Sequence, residues 1–537
     1  MSGFTPESGK VKVSPAPISR SITMGDPKGS LQENYSSLMG KARELFILQS
    51  MGSIVAWDME TKMPPKGIQL RSQQLALLQK IGHRMVVDPE IGRLIEAITG
   101  HKDFESLDQI QKRNIHLAKK DYDEETKLPE ELVVETARQS AITVDIWKKA
   151  KAAKDWELFK PELEKLFELR VKAADILMEV KGAKTRYDAL IDLFEPGMTA
   201  ENITGVFTGM RKGLVKTIGD IQGATRKSDP SILAKNVPIT SQIKIGESLS
   251  ELIGYDVTSP EAGGRIDETE HPFTTGYYDD VRITTHYYED KFASSVFSVL
   301  HEGGHAIYEQ NLPRDWMYQP VGTGCSMGIH ESQSRFVENM FGRSPEFWGH
   351  YYPTLCELTG GALSGIALDD FVLAINHVEP SKIRVEADEV TYGLHIIIRF
   401  EMERELFAGK IGIDELPQAW NEKYREYLGV EIQDDSEGVM QDTHWAGGAF
   451  GYFPSYALGN IYGGQMLEKM AGDNPNYKEE IAGGSFTEMG AWLAENVHKY
   501  GNLYDAADLI KVVTGDELRI EPFLNYLDDK YSNLYGY

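Results

Sequence analysis

The stretch HEGGHAIYEQNLPRDWMYQPVGTGCSMGIHE, His301 to Glu331, decides how the rest of the chain is read. Its first five residues are spaced for a helix. Positions i and i+4 share a helix face, so His301 and His305 can grip one metal ion. Glu302 then lies beside that ion, placed to take the proton of a bound water. Val296, Val299, Leu300, Ala306 and Ile307 provide a buried face, and Asp290 or Ser294 is placed to start the helix. Gly303 and Gly304 each disfavour a helix by about 1 kcal/mol relative to Ala. Their presence predicts a close approach to that backbone, and a bound substrate strand is the expected neighbour.

Around this helix the chain reads as mainly α. Segments 33–56, 68–99, 103–120, 129–153 and 199–222 carry apolar residues at helical spacing. The run Leu163, Leu166, Phe167, Val171, Ala174, Leu177 and Met178 does so most clearly, and Gly182 is its natural stop. No repeat of fixed period occurs. At Trp57 to Pro65 the paired prolines end a helix, and Trp57 beside Asp58 reads as fixing a helix crossing. The exception to the helical texture is FTTGYYDDVRITTHYY, 273–288, rich in Thr, Tyr and β-branched residues. It predicts a hairpin turning at Asp279-Asp280, with Arg282, Thr284 and His286 on one face and Val281, Ile283 and Thr285 on the other. A small sheet running into the metal helix can offer an edge to an extended peptide.

Downstream, a glycine-rich connection (322–330) leads to a second helix expected to begin near Glu331 or Ser332 and to stop before Gly342 and Pro345. Read as one helix, residues 383–407 place Arg384, Asp388, Tyr392, His395 and Arg399 within about 80° of arc. Val385, Leu394, Ile396, Ile397, Ile398 and Phe400 fill most of the remaining circumference. A helix apolar nearly all round is buried, so this polar stripe is expected to line an internal cleft, its charges paired or awaiting a ligand. Residues 438–464, dense in glycine and aromatics, read as a loop wall from which Gln441, Asp442 and His444 can reach a site.

Catalytic zinc needs a third protein ligand and a water. The metzincin extension requires glycine at 308 and histidine at 311, where this chain has Tyr308 and Asn311. A glutamate from a following helix is the other solution. Glu331 is well placed, with His330 and Glu338 as rivals that spacing does not eliminate. The expected chemistry is hydrolysis of an amide by a metal-bound water, with Glu302 as general base. Tyr392, His395 and His444 are candidates for the further donor that the carbonyl oxygen needs.

The net charge of -26 argues against nucleic acid as a partner. Two cysteines, Cys325 and Cys356, make no disulfide framework, and no run of 18 apolar residues suggests a membrane span. Residues 1–32 read as a disordered extension before a single catalytic domain, 33–537. With no hydrophobic core to that extension, a cytoplasmic location is expected; Lys10, Lys12, Arg20 and Lys28 leave an organelle transit peptide as the alternative.

Six motifs then fall in order: HPF at His271, DVRIT at Asp280, HEGGH, HESQ at His330, IRVEAD at Ile383 and GVMQDTHW at Gly438. With these, the WDMETKMPP turn and the EPGMT of Glu195 to Thr199, the chain from about residue 33 onward resembles the carboxypeptidase Taq family of metallocarboxypeptidases. The resemblance implies a helical, saddle-like fold with a deep central groove, usually a homodimer. It also implies release of single C-terminal residues with broad specificity, using zinc or cobalt. It assigns His301, His305 and Glu331 to the metal, Glu302 to the base role, and Arg282 and Arg384 to the substrate's free carboxylate. Tyr392, His395, Arg399 and His444 are left to share the substrate contacts. An endo-acting oligopeptidase of the same zinc class, or a non-catalytic zinc scaffold, are the competing readings.

Overall fold

A computed structural model describes residues 29–537; residues 1–28 of the expected N-terminal extension lie outside the described residues. Helices dominate, and local chemistry marks several of their ends. Ser30 and Glu33 form a reciprocal capping box that starts Leu31–Thr61. That helix stops just before Pro64-Pro65, as the turn requires. The 68–99 segment is two helices, Ile68–Val86 and Pro89–Thr99. Asp88 caps the second through the Glu90 N–H (2.9 Å), and Pro89 takes its first position. The segment expected over 103–120 is a helix at Gln109–Lys127, started by an Asp108–Gln111 capping box. Glu130–Ala153, Trp156–Lys181 and Ala200–Gly223 follow the predicted spans, and Gly182 ends the second of them at φ 64°. Leu163, Leu166, Ala174 and Leu177 are buried as their spacing predicts. One large core holds most of the chain, and a smaller one around Leu38, Ile98 and Ile115 ties down the N-terminal helices.

Among the described residues the single sheet has three strands in the order β1-β3-β2: β1 is Gly264–Glu268, β2 Thr274–Tyr277 and β3 Asp280–Thr285. The β2–β3 hairpin reverses one residue earlier than expected, at Tyr278-Asp279, with Tyr278 at φ 53°. The parallel partner β1 carries no alternation strong enough to reveal it. Because β3 is central, Thr284 is as buried as Val281 and Ile283, although the alternation puts it on the polar face. Trp57 packs beneath this sheet, with the guanidinium groups of Arg265 and Arg282 over its ring at 4.7 and 4.4 Å.

The HEGGH helix is Phe292–Gln310. It begins without a side-chain cap, so neither Asp290 nor Ser294 starts it. Its two glycines are explained by protein rather than by substrate. A Cβ on Gly304 would stand 2.6 Å from the Gln333 carbonyl oxygen, and one on Gly303 would stand 2.5 Å from Ile253. The crossing element is the helix Met327–Arg335, which starts four or five residues earlier than predicted. Ser326 caps it by accepting from the Ile329 N–H (3.0 Å), so Glu331 sits inside a regular helix rather than at its start. It continues into a π turn, Phe336–Phe341.

The predicted 383–407 helix is shorter. It spans Tyr392–Phe407, because Asp388 accepts from the Val390 and Thr391 N–H groups and so turns the chain instead of extending the helix. Arg384 lies in a preceding single turn, Arg384–Glu386, and Val385 is 70% exposed rather than part of an apolar wall. The loop read over 438–464 is only half loop, since the helix Phe453–Asp473 begins within it. Among the described residues no helix is long and apolar enough to cross a membrane.

Candidate metal centre and its arginine wall

The crossing of the HEGGH helix with Met327–Arg335 brings His301, His305 and Glu331 together. One ligand atom from each lies within 4.8 Å of the others. Glu331 Oε2 is 3.7 Å from His301 Nε2 and 3.5 Å from His305 Nε2. The rivals for the third position have other work. Glu338 Oε2 accepts from His301 Nδ1 at 2.9 Å, and His330 Nδ1 meets His305 Nδ1 at 2.6 Å.

These outer contacts determine where the protons are. A carboxylate only accepts, so His301 carries its hydrogen on Nδ1 and presents a lone pair on Nε2. Glu309 Oε1 takes the Nε2–H of His330 at 2.8 Å. His330 Nδ1 must then accept from His305 Nδ1–H, which leaves a lone pair on His305 Nε2 as well. Two imidazole lone pairs and one carboxylate oxygen therefore face a common point, a donor set that suits a divalent ion. Burial lowers the His305 pKa to about 3 and keeps it neutral. Burial also opposes ionisation of Glu331, but the adjacent Arg335 guanidinium outweighs it and holds that carboxyl well below its ordinary range. Arg335 Nε donates to Glu331 Oε1 at 2.7 Å. Truncating His330 to alanine is expected to weaken divalent-metal binding about 10–100-fold, measured by chelator competition; unchanged affinity would show that His305 needs no partner.

Glu302, 7% exposed, is not one of the three. Its Oε2 accepts from Thr274 Oγ1 of β2 at 2.6 Å. Burial raises its pKa, against the lowering effect of the Thr274 hydrogen bond, which moves a carboxylate toward useful basicity.

The other predicted residues form a second wall. Tyr392, His395 and Arg399 lie on Tyr392–Phe407, and the loop bearing Gln441, Asp442 and His444 packs over it. Asp442 ties the arginines together: Oδ2 and Oδ1 accept from Arg384 Nε and Nη2 (3.1 and 2.9 Å), and Oδ2 also accepts from Arg399 Nη2 (2.6 Å). Burial opposes its charge, but Arg399 and Arg384 hold its pKa far below the carboxylate range. Arg399 is 1% exposed, and both its terminal nitrogens bond to His395 O, Tyr424, Gln441 and Asp442. It stands behind Arg384 as a brace. His395, also fully buried, is held by Tyr424 through Nδ1. Arg384 Nη1 donates to Tyr392 OH at 3.3 Å, and its guanidinium lies over Tyr456 at 5.2 Å. His444 meets Tyr456 OH through Nε2, while its Nδ1 has no partner. Burial lowers its pKa to about 4.

Arg335, with its guanidinium 4.5 Å from the centre of the Tyr392 ring, joins this wall to Glu331. Arg282 stands on the opposite side, in the strand next to Thr274, where Asp280 binds it bidentately at 2.7 and 2.8 Å. Sequence reasoning missed Thr274, Arg335 and Tyr456. Only the polar residue in a strand leading to the metal helix gave any signal, and it did not single out Thr274.

The chain matches the family model described as carboxypeptidase Taq (M32) metallopeptidase over residues 37–531. It is 40% identical to thermostable carboxypeptidase 1 of Thermus thermophilus over 509 residues, 94% of this chain and 99% of that one. It is also 40% identical to carboxypeptidase 1 of Bacillus subtilis over 485 residues, 90% and 95% of the two chains. The crystal structure of the M32 carboxypeptidase from Deinococcus radiodurans superposes with a TM-score of 0.89 at 34% identity, covering 94% of this chain and all of that one. A divalent-metal enzyme is what such relatives and such a donor set have in common, and the chain belongs to the carboxypeptidase Taq (M32) family of metallocarboxypeptidases.

Proposed function

We propose that this enzyme releases single C-terminal residues from peptides with broad specificity, using zinc, with cobalt as a working substitute, held by His301, His305 and Glu331. The observation that carries the exopeptidase reading is the state of Arg384. Of its five N–H donors, Asp442 engages two and Tyr392 one, which leaves one N–H on each of Nη1 and Nη2. That pair is a fork matched to a carboxylate, held by Asp442 and backed by Arg399.

When bound, the ion polarises the scissile carbonyl and acidifies the attacking water. Glu302 takes the proton of that water and passes it to the leaving amine, while Thr274 holds the carboxylate in place. Tyr392 accepts from Arg384 through its oxygen, so its own hydrogen is available to the carbonyl oxygen, as is the unpartnered Nδ1 side of His444. Edge strand β2 offers the substrate backbone a partner beside Glu302. A groove of about 320 Å³ between β2, Glu309 and the Leu31–Thr61 helix continues from there.

One peptide presented as free acid and as C-terminal amide tests the reading. Stepwise trimming of the acid is expected, with the amide slower by about 10²-fold for want of a charged partner for Arg384. Equal rates, or internal cleavage, would replace it with the oligopeptidase reading. Chelation is expected to abolish turnover and added zinc or cobalt to restore it; turnover that survives full metal removal would refute the metal role.

A further inference from the structure

We propose that Glu195 is a positioning residue for the metal centre: its carboxylate clamps the N-terminus of Met327–Arg335 and so determines where Glu331 stands. This rests on the reading that Glu331 ligates the ion. Glu195 lies over a hundred residues before the trio and takes no part in the chemistry described above, yet it is 0% exposed. Its Oε1 accepts from Ser326 Oγ and Tyr462 OH, both at 2.9 Å. Its Oε2 accepts from the Gly328 N–H at 2.9 Å and from Ser455 Oγ at 3.4 Å. The preceding carbonyl, Phe194 O, takes the Met327 N–H at 3.0 Å. Two adjacent residues thus satisfy the first N–H groups of a helix that would otherwise begin in a buried place with unmet donors.

The clamp acts close to Glu331. Gly328 and Glu331 are three residues apart, one helical turn on the same side. The glycine is needed because a Cβ there would lie 2.7 Å from Glu195 Oε2. On its other side Glu331 is confined by Gly459, where a Cβ would fall 2.8 Å from the Glu331 Cβ. Gly459 belongs to Phe453–Asp473, the helix that also supplies Ser455 and Tyr462. One carboxyl group therefore locks the ligand helix to the helix it packs on, a single turn from the ligand. Glu331 Oε2 stands only 3.5 and 3.7 Å from the two imidazoles, so a shift of a fraction of an ångström at Gly328 alters the ligand geometry. Burial pushes the Glu195 carboxyl up to about 7 even against four donors.

The test is Co²⁺ affinity of the metal-free full-length protein, by competition with a chromophoric chelator, together with the visible absorption of the cobalt site. Glu195→Ala is expected to weaken binding about 10–100-fold, as outer contacts of a metal site do, and to change the cobalt spectrum. Glu195→Gln keeps an acceptor for Gly328 while the two hydroxyls rotate, and should restore most of the affinity. Gly328→Ala, which drives a methyl against the carboxylate, and Tyr462→Phe should move affinity in the same direction as Glu195→Ala. They decide the matter if Glu195→Ala does not fold. Affinity within twofold of wild type and an unchanged spectrum in the folded variants would overturn the proposal, whatever happens to Tm. His305→Ala is the control. If it too binds cobalt like the wild type, the metal reading itself has failed; if it loses cobalt while the Glu195 and Gly328 variants keep theirs, only the clamp has.

Discussion

Glutamine in place of Glu302 is expected to lower kcat by about 10²–10⁴-fold, the range for loss of a positioned general base, with metal content unchanged. Both halves follow from the geometry. Glu302 is outside the trio of His301, His305 and Glu331, so the ion keeps its ligands. Glutamine still accepts from Thr274 Oγ1, which now bonds the carboxylate at 2.6 Å, so the side chain keeps its position. What disappears is the ability to take a proton. Burial has already raised the Glu302 pKa, and no other unpaired carboxylate adjoins the trio among the described contacts: Glu331 is drawn to Arg335, and Glu338 to His301, Arg335 and Arg343. Metal analysis and kcat at saturating substrate check the result. Wild-type turnover would rule out the base role, and loss of metal would make Glu302 a structural member of the site.

Removing Arg384 has the next largest expected effect. Arg384→Ala should lower kcat/KM by about 2–4 kcal/mol, the cost of leaving a buried carboxylate without its partner. Asp442 keeps Arg399 as its counter-ion, so folding should suffer less than recognition. The signature lies in the acid-to-amide ratio. If Arg384 meets the substrate carboxylate, the variant should treat both peptides alike. Arg282→Ala should cost less, because Arg282 is committed to Asp280, a half-exposed partner, and stands on the opposite wall. It should also preserve the preference for the free acid. The reverse pattern would move the carboxylate site to the β3 wall.

The residues themselves explain why some of this was legible in the chain and some was not. His301, Glu302 and His305 are neighbours on one helix, so their geometry is local and a spacing of four suffices to read it. The caps at Ser30, Asp88, Asp108 and Thr199 are equally local, each side chain reaching a backbone N–H two or three residues away, but apolar spacing runs straight across Asp88 and begins the next helix before Asp108. The 383–407 stripe misled because periodicity is blind to Asp388. That side chain competes for the same backbone donors a longer helix would use, and a wheel drawn through it places Arg384 on a surface that does not exist.

From sequence alone the chain's mainly helical class, the pairing of His301 and His305 on one helix face and its family resemblance were legible, because each rests on contacts within a few residues or on motifs in fixed order. The resemblance already assigned Glu331, but only the tertiary structure brought it beside the two imidazoles, and only it decided that Gly303 and Gly304 admit Ile253 and a crossing helix rather than a substrate, and that Arg384 and Arg399 share Asp442 with unequal access to the site. Those outcomes depend on groups between about twenty and sixty residues apart meeting at distances of a few ångströms. No period or propensity encodes such meetings, and they are decided by how whole helices pack.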